Sequence, residues 1–309
     1  MKRSLAVAAL AALSVVAACS DDSNTTETTA AAVTTTAAPA TTEAPPTDSV
    51  SAEPAKAIIS LSPTATETLF AIGAADQVIA VDDQSNYPAE ATAKPHDLSG
   101  FEPNVEAIAA LKPDLVVLQD ATIQPQLEGL GINVYVGPAA TTFDDVYAQI
   151  SQLGAATGHE ADANKLIAQM KSAIEVDVLA AQKLIGTTVY HELDPTFYSV
   201  TSNTFIGKVY EIFGLTNIAD GVEPGNDYPQ LNAEYIVQQN PSLIFLADTK
   251  CCAQNAAEVA ARPGWDAIAA VRNGLVFELD DDVASRWGPR VVDLVNEVGY
   301  ALLKLRTGA

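Results

Sequence analysis

From residue 57 onward, short apolar runs alternate with longer stretches in which apolar residues recur at helical spacing. Each short run is continuous, which is typical of strands that a parallel sheet buries on both faces. Strands that alternate with helices predict an α/β fold with mainly parallel sheets. The predicted strands are 57–61, 77–81, 114–118, 132–136, 188–191, 242–246 and 275–279.

One pattern occurs twice along the chain, N-x-E-x-I-x(4)-P-x-L-x-x-L, beginning at Asn104 and again at Asn232, 128 residues later. Each copy predicts an Asn N-cap, a glutamate in the first helical turn (Glu106 and Glu234), a helix that ends before Pro, and a buried strand. A repeated unit of this kind predicts two similar lobes.

Each copy of the repeat is preceded by another predicted helix that ends at a glycine. The first helix covers 64–72, and the spacing of Thr64 and Glu67 predicts a capping box at its start. The second helix covers 204–213, where Asn203 is placed to be the N-cap.

Residues 142–184 form an Ala-rich stretch with apolar residues at helical spacing, which predicts one long linker helix between an N-terminal lobe (56–141) and a C-terminal lobe (185–309). Gly154 and Gly158 are the expected places for a break near its middle. A helical linker acts as a strut, so we expect only modest closure between the lobes.

The first 18 residues have the pattern of a signal peptide: Lys2 and Arg3, then an apolar stretch from Leu5 to Val16, then small residues. That stretch is shorter than the ~20 residues that a membrane-spanning helix needs. Cys19 follows directly and resembles the lipidated cysteine of a bacterial lipobox, which predicts a lipid anchor on the extracytoplasmic face of the cell membrane. The alternative is an ordinary secretory signal followed by a chance cysteine.

Residues 19–55 contain Thr, Ala, Ser, Pro and acids but no Leu, Ile, aromatic, Lys or Arg residue. This composition cannot bury enough apolar surface to offset the entropy of ordering it, so we expect a disordered tether. Its reach is roughly 35 Å as a flexible chain.

The chain is strongly acidic, with 39 Asp and Glu against 16 Lys and Arg and a formal charge of −23. This balance disfavours nucleic acid and anionic membrane surfaces as partners. It favours a cationic ligand, or serves only solubility.

Cys251 and Cys252 are adjacent and belong to the exported part of the chain. They form either a strained vicinal disulfide or two unpaired thiols. No direct metal site is predicted, because no nearby His or Cys completes a zinc tetrahedron.

Several motifs in order, Ile59-Ser-Leu-Ser-Pro-Thr-Ala-Thr-Glu67, Asn86-Tyr-Pro88 and the two repeat copies, resemble those of the ABC-transporter substrate-binding proteins for cobalamin and ferric siderophores. The resemblance covers roughly 57–305. It implies the class III periplasmic-binding-protein fold, which has two Rossmann-like lobes, one long linker helix and a ligand cleft between the lobes. It further implies a monomer without a cofactor that delivers its ligand to an ABC permease and its ATPase.

The resemblance also assigns residues. Glu106 and Glu234 match the glutamates that dock into arginine pockets of the permease; the alternative is that each only favours its helix dipole. The positions that match ligand-facing segments are Pro63, Thr64, Tyr87, Phe101, Phe197, Tyr198, Tyr228, Asp282, Arg286 and Trp287. Each aromatic residue has core packing as its alternative. Arg286 pairs with either a ligand anion or an aspartate such as Asp282, and Arg290 is expected to be structural.

Few basic residues lie in these segments, which disfavours an anionic catecholate chelate and favours a ferric hydroxamate or cobalamin. The alternatives are haem, a free metal ion such as zinc or manganese, or another class of protein, namely a cell-surface enzyme or an adhesive lipoprotein. An enzyme is disfavoured because His96, His159 and His191 are far apart and no catalytic motif is present.

Overall fold

The structure is a computed structural model that describes residues 53–308. The predicted signal peptide, Cys19 and most of the predicted tether lie outside the described residues. Within 53–308, no helix is both long enough and apolar enough to cross a membrane.

The tether ends earlier than the sequence indicates. The backbone N–H of Ala55 donates to the carbonyl of Ala156 at 2.9 Å, and Gln77 Nε2 donates to the carbonyl of Ala55 at 2.6 Å. Pro54 packs against Gly158. The predicted boundary before Lys56 is therefore corrected, because these residues bond to the folded part of the chain.

The N-terminal lobe alternates strands with helices. Its elements are β1 (Ile58–Leu61), α1 (Pro63–Ala71), β2 (Val78–Val81), α2 (Val105–Ala110), β3 (Leu115–Leu118), α3 (Gln124–Gly129) and β4 (Asn133–Val136). Two long helices of the linker follow, α4 (Phe143–Thr157) and α5 (Glu160–Ala181).

The C-terminal lobe follows the same alternation with more short helices. Its elements are β5 (Thr188–Glu192), α6 (Phe205–Ile212), β6 (Thr216–Asn217), α7 (Ala233–Gln239), β7 (Leu243–Leu246), α8 (Thr249–Cys252), α9 (Ala256–Ala261), α10 (Ala269–Arg272), β8 (Val276–Glu278), α11 (Asp281–Ser285) and α12 (Val291–Thr307).

Each lobe contains one four-stranded sheet, and the strand orders are β2-β1-β3-β4 and β6-β5-β7-β8. Every pairing between these strands is parallel. The central strands β1, β3 and β7 are buried throughout, as their continuous apolar runs predicted. The internal repeat therefore corresponds to two lobes with the same strand order, and the repeat copies supply α2–β3 in one and α7–β7 in the other.

Two predicted helix starts are wrong. The N-cap of α1 is Ser62, whose side chain accepts from the Ala65 N–H, and Pro63 occupies the first helical position. Glu67 is therefore beyond the N-cap contact, and the predicted capping box does not form. The N-cap of α6 is Thr204 and not Asn203. By contrast, Asn104 and Asn232 cap α2 and α7 as predicted.

The predicted linker helix is two helices, α4 and α5, which separate at Gly158. Gly158 adopts a left-handed φ of 75° and caps α4, a conformation that favours glycine. Gly154 does not break α4; a Cβ built there would lie 2.5 Å from the Ala163 Cβ on α5. Helix α5 also packs along α12, and one hydrophobic cluster continues from the N-terminal sheet through these helices into the C-terminal lobe.

We predict that Gly154→Ala lowers the free energy of unfolding by about 1–3 kcal/mol, because the added methyl group overpacks the crossing of α4 and α5. Urea unfolding followed by circular dichroism measures the change. Gly129→Ala is the matched control, since a Cβ there meets nothing within 4 Å. Equal stability of the two variants would contradict this account of Gly154.

Candidate functional site

The site is built at the carboxyl ends of the parallel strands, where open α/β sheets bind ligands. In the N-terminal lobe, β1 leads into Pro63 and Thr64, and β2 leads into the loop that carries Tyr87. In the C-terminal lobe, β5 leads into the turn with Phe197 and Tyr198, and β8 leads into α11. Hydrogen bonds between the loop after β2 and α11 bring these two edges together.

Glu67 of the N-terminal lobe pairs with two arginines of the C-terminal lobe. Its side chain is 1% exposed and accepts hydrogen bonds from Arg286 Nη1 at 2.9 Å and from Arg290 Nε at 2.9 Å. Arg290 Nη2 also donates to Glu67 Oε1. Both arginine side chains are largely buried. One carboxylate on α1 therefore holds two guanidinium groups from the segment between α11 and α12.

Arg286 makes further contacts that complete its hydrogen bonding. It donates to the Asn86 Oδ1 at 2.9 Å, to the carbonyl of Gln84 at 3.0 Å and to Asp282 Oδ1 at 2.7 Å. Asp282 also accepts from Lys250 Nζ and from Asn86 Nδ2. Burial raises the pKa of Asp282, but these cationic and amide donors outweigh burial and hold that pKa below its ordinary value. This pairing with Asp282 is one of the two alternatives predicted for Arg286.

The predicted ligand-facing aromatic residues differ in exposure. Phe101 is 84% exposed, Tyr228 53%, Tyr87 46% and Tyr198 40%. Phe197 is half-buried. Such exposed rings are available for a ligand, and their role as ligand contacts stays a prediction.

Three other predicted ligand-facing residues, Trp287, Pro63 and Thr64, are half-buried or buried. Trp287 is half-buried, and its Nε1 donates to Gln149 Oε1 of α4 at 3.2 Å. Together with Thr64 it lines a small cavity beside α1 and α4. Thr64 is buried, and its carbonyl accepts from the Thr68 hydroxyl. Pro63 is half-buried at the first position of α1.

Sequence reasoning missed an ion pair in the C-terminal lobe. Glu192 ends β5 and is fully buried, and it accepts from Arg262 Nη1 at 2.6 Å and from Nη2 at 2.5 Å. The partners are 70 residues apart and no motif relates them. The only available signal was a charged residue directly after an apolar strand, which is costly to bury without a partner.

Asp248, two residues beyond the end of β7, is a second buried carboxyl group near this pair. Neither of its side-chain oxygens has a hydrogen-bond partner within the described residues. Burial, reinforced by the negative charge of Glu192, raises its pKa to about 7.

His191 is buried one position before Glu192, and burial lowers its pKa to about 3. The Nδ1 atom of His191 forms a hydrogen bond with the Tyr210 hydroxyl at 2.6 Å, so its partner lies within the same lobe.

Glu106 and Glu234 occupy equivalent places in the two lobes. Each lies in the first turn of its helix, two residues after the Asn N-cap, and each is exposed. Their surface position is compatible with contact to another protein. Docking to a permease stays a prediction.

Cys251 and Cys252, at the end of α8, are joined by a vicinal disulfide. Asp281 accepts from the backbone N–H groups of Thr249, Lys250 and Cys251, which holds this short helix against α11. Among the described residues, no three His, Cys, Asp or Glu side chains are grouped to hold a metal ion.

Comparison with known proteins gives the class. Residues 58–283 match the family model described as periplasmic binding protein. An uncharacterized ABC transporter substrate-binding lipoprotein of Bacillus subtilis, YvrC, is 31% identical over 82% of each chain. The structure of the vitamin B12 binding protein BtuF of Vibrio cholerae superposes with a TM-score of 0.70 at 25% identity, covering 82% of this chain and 98% of that one. An ABC-type Fe³⁺-hydroxamate transport protein of Saccharomonospora viridis gives a TM-score of 0.63 at 25% identity, covering 80% and 93%.

Two parallel α/β lobes whose carboxyl edges meet define a class III binding protein, as predicted. The chain belongs to the periplasmic binding protein family. It is an extracytoplasmic solute-binding protein that delivers a small molecule to an ABC transporter, and the prediction that it is not an enzyme is confirmed.

We predict that Glu67→Gln lowers the free energy of unfolding by about 3–5 kcal/mol, because two largely buried arginines lose their shared counter-charge. The melting temperature and urea midpoint measure this loss. Glu297→Gln, at an exposed position of α12, is the control and is expected to change stability by no more than about 0.5 kcal/mol. Equal effects of the two substitutions would refute the structural importance of the Glu67 contacts.

Proposed function

We propose that this protein captures a neutral or cationic metal chelate, a corrinoid or a ferric hydroxamate, between its lobes and delivers it to an ABC importer. The observation that carries the proposal is the state of the basic side chains at the carboxyl edges. Lys250 is paired with Asp280 and Asp282, and Arg286 with Glu67 and Asp282. Arg262 and Arg290 are paired with buried glutamates.

An anionic catecholate chelate needs several cationic groups that are free to contact it. Breaking the largely buried ion pairs of Arg262, Arg286 or Arg290 to supply them is costly. The ion pairs of Lys250 are exposed and easily broken, but they free only one cation. A neutral or cationic chelate has no such requirement. The formal charge of −23 adds a long-range attraction for cations. Charge therefore supports the corrinoid or hydroxamate class over the catecholate class.

The exposed aromatic rings suit the shape of a bulky flat ligand. Tyr87 and Phe101 belong to one lobe, and Tyr198 and Tyr228 to the other, so that a bulky flat ligand between the lobes meets rings on both sides. Aromatic side chains bury a large area at a small entropic cost. A corrinoid is the first candidate, since the similar Vibrio cholerae protein is described as a vitamin B12 binding protein.

We predict that titration calorimetry with cyanocobalamin or ferrioxamine B detects saturable binding, whereas a ferric tricatecholate, haemin and zinc chloride give none. Tyr228→Ala weakens the binding about tenfold, because one stacked ring contributes on the order of 1.4 kcal/mol. Tyr300→Ala is the matched control, since Tyr300 is 52% exposed against 53% for Tyr228 and lies on α12. Binding of zinc or the catecholate, and neither of the first two chelates, would overturn the ligand class.

We further propose that Cys19 carries a lipid anchor, that residues 20–53 tether the folded part near the membrane, and that the monomer docks its permease through Glu106 and Glu234. One exposed carboxylate on each lobe gives a two-point ionic contact, which fixes orientation and remains reversible. Because α5 links the lobes as a strut, the loaded state is distinguished by small changes in the spacing of these two residues.

We predict that Glu106→Lys with Glu234→Lys abolishes uptake of the bound chelate in cells while the purified protein keeps its affinity. The matched control is Glu160→Lys with Glu258→Lys, because these exposed glutamates also occupy first turns and lose the same favourable helix-dipole interaction. Uptake that survives in the first variant, or falls equally in both, would leave Glu106 and Glu234 with only a helix-stabilising role.

A further inference from the structure

The same arrangement of glutamate, arginine and aromatic ring occurs in both lobes. In the N-terminal lobe, buried Glu67 holds Arg290, whose guanidinium carbon lies 4.2 Å from the centre of the Tyr87 ring. In the C-terminal lobe, buried Glu192 holds Arg262. The Arg262 guanidinium carbon lies 5.3 Å from the centre of the Phe197 ring.

We infer that Arg262 and Arg290 are positioning residues of the ligand site, which hold the rings of Phe197 and Tyr87 in place to receive the ligand. The inference rests on the proposed function, because it takes these two rings to be ligand contacts. Arg262 and Arg290 would thus affect ligand binding through an aromatic neighbour and not through their own charge.

The Arg262 guanidinium is held on its edge by polar contacts. Besides the two bonds to Glu192, Nη2 donates to Gln254 Oε1 at 2.8 Å. Glu192 Oε2 also accepts from the Tyr190 hydroxyl at 3.1 Å. The side chains of Glu192 and Arg262 are 0% and 14% exposed. A planar group bonded at its edge in this way presents its face in one orientation.

That face contacts two stacked rings. Arg262 lies 4.5 Å from the centre of the Trp265 ring, and the Phe197 and Trp265 rings are 5.7 Å apart with an interplanar angle of 30°. Trp265 is fully buried, whereas Phe197 is half-buried at the carboxyl edge of the sheet. Of the two rings, Phe197 is therefore the one that a ligand can reach, and the guanidinium and Trp265 support it.

The backbone of Phe197 is itself strained. Its φ is 71°, in the left-handed region that bulky residues avoid. The conformation is maintained by its N–H, which donates to the Asp194 carbonyl, and by its carbonyl, which accepts from the Leu231 N–H, each at 3.0 Å. Strain of this kind persists where the surroundings over-determine it, and it is common at ligand sites.

The N-terminal arrangement has a different origin but the same result. Arg290 comes from the start of α12 and reaches across to α1 and to the loop that carries Tyr87. Tyr87 is 46% exposed, so one face of its ring lies against the guanidinium and the remainder is open to a ligand. The two supported rings thus belong to opposite lobes.

The test is a double-mutant cycle on each pair, with calorimetric affinity for cyanocobalamin and, as a second probe, ferrioxamine B. Arg262→Lys keeps the charge beside Glu192 but loses the planar face. We expect Arg262→Lys and Phe197→Ala each to weaken binding about tenfold. The double variant should be no weaker than Phe197→Ala within about twofold, because the arginine acts only through that ring. The same result is expected for Arg290→Lys with Tyr87→Ala.

Arg272→Lys, at an exposed position of α10, is the matched control and should bind as the wild-type protein does. Circular dichroism and cooperative urea unfolding establish that each variant is folded. If Arg262→Lys does not fold, Glu192→Gln with Arg262→Gln replaces it, since this pair removes both buried charges and is subject to the same expectation.

Undiminished affinity in Arg262→Lys and Arg290→Lys would overturn the inference, as would losses that multiply in the double variants, because a purely structural or direct role gives independent effects. Failure of the wild-type protein to bind either probe overturns the proposed function instead, and the inference with it. The two failures are distinguished by the wild-type titration alone.

Discussion

The ionic contact between the lobes is made by one buried carboxylate. Glu67 lies on α1, while its partners Arg286 and Arg290 come from more than 200 residues later in the chain. A buried ion is tolerated only when its partners satisfy it, so that this contact is strong when complete and very unfavourable when broken. Movement of the lobes that separated these groups would therefore be opposed, and α5, which joins the lobes through its packing with α4 and α12, opposes it as well.

The same constraint bears on the chemistry of the cleft. A chain with 39 acidic and 16 basic residues has few cations to spare, and those at the carboxyl edges are held by carboxylates. Guanidinium groups that are occupied at their edges retain their flat faces, and these faces lie against aromatic rings in both lobes. Arginines that could have attracted an anionic ligand instead pack against aromatic rings. The resulting apolar surface suits a large chelate of low negative charge.

Much of the fold was predictable because its signals are local. All seven predicted strands form, and within residues 53–308 strand β6, which is only two residues long, was the one missed. Asn104 and Asn232 were recognisable as N-caps because the cap is a contact between residues three apart in sequence. The errors at Thr64 and Asn203 were shifts of one or two residues, since neighbouring Ser, Thr and Asn side chains compete for the same cap. The break at Gly158 depended on backbone conformation, whereas Gly154 serves a helix crossing that no local pattern reveals.

The sequence by itself determined the α/β class, the duplication into two lobes and the positions of Glu106 and Glu234, because hydrophobic runs, caps and a repeat are read from neighbouring residues. Only the tertiary structure decided which charges are paired. Glu67 was interpreted as a local cap and proved to be the interlobe counter-ion, and the Glu192–Arg262 pair had no sequence signal. The physical reason is that burial of a charge is determined by groups brought together from distant parts of the chain, so its partner cannot be inferred from spacing.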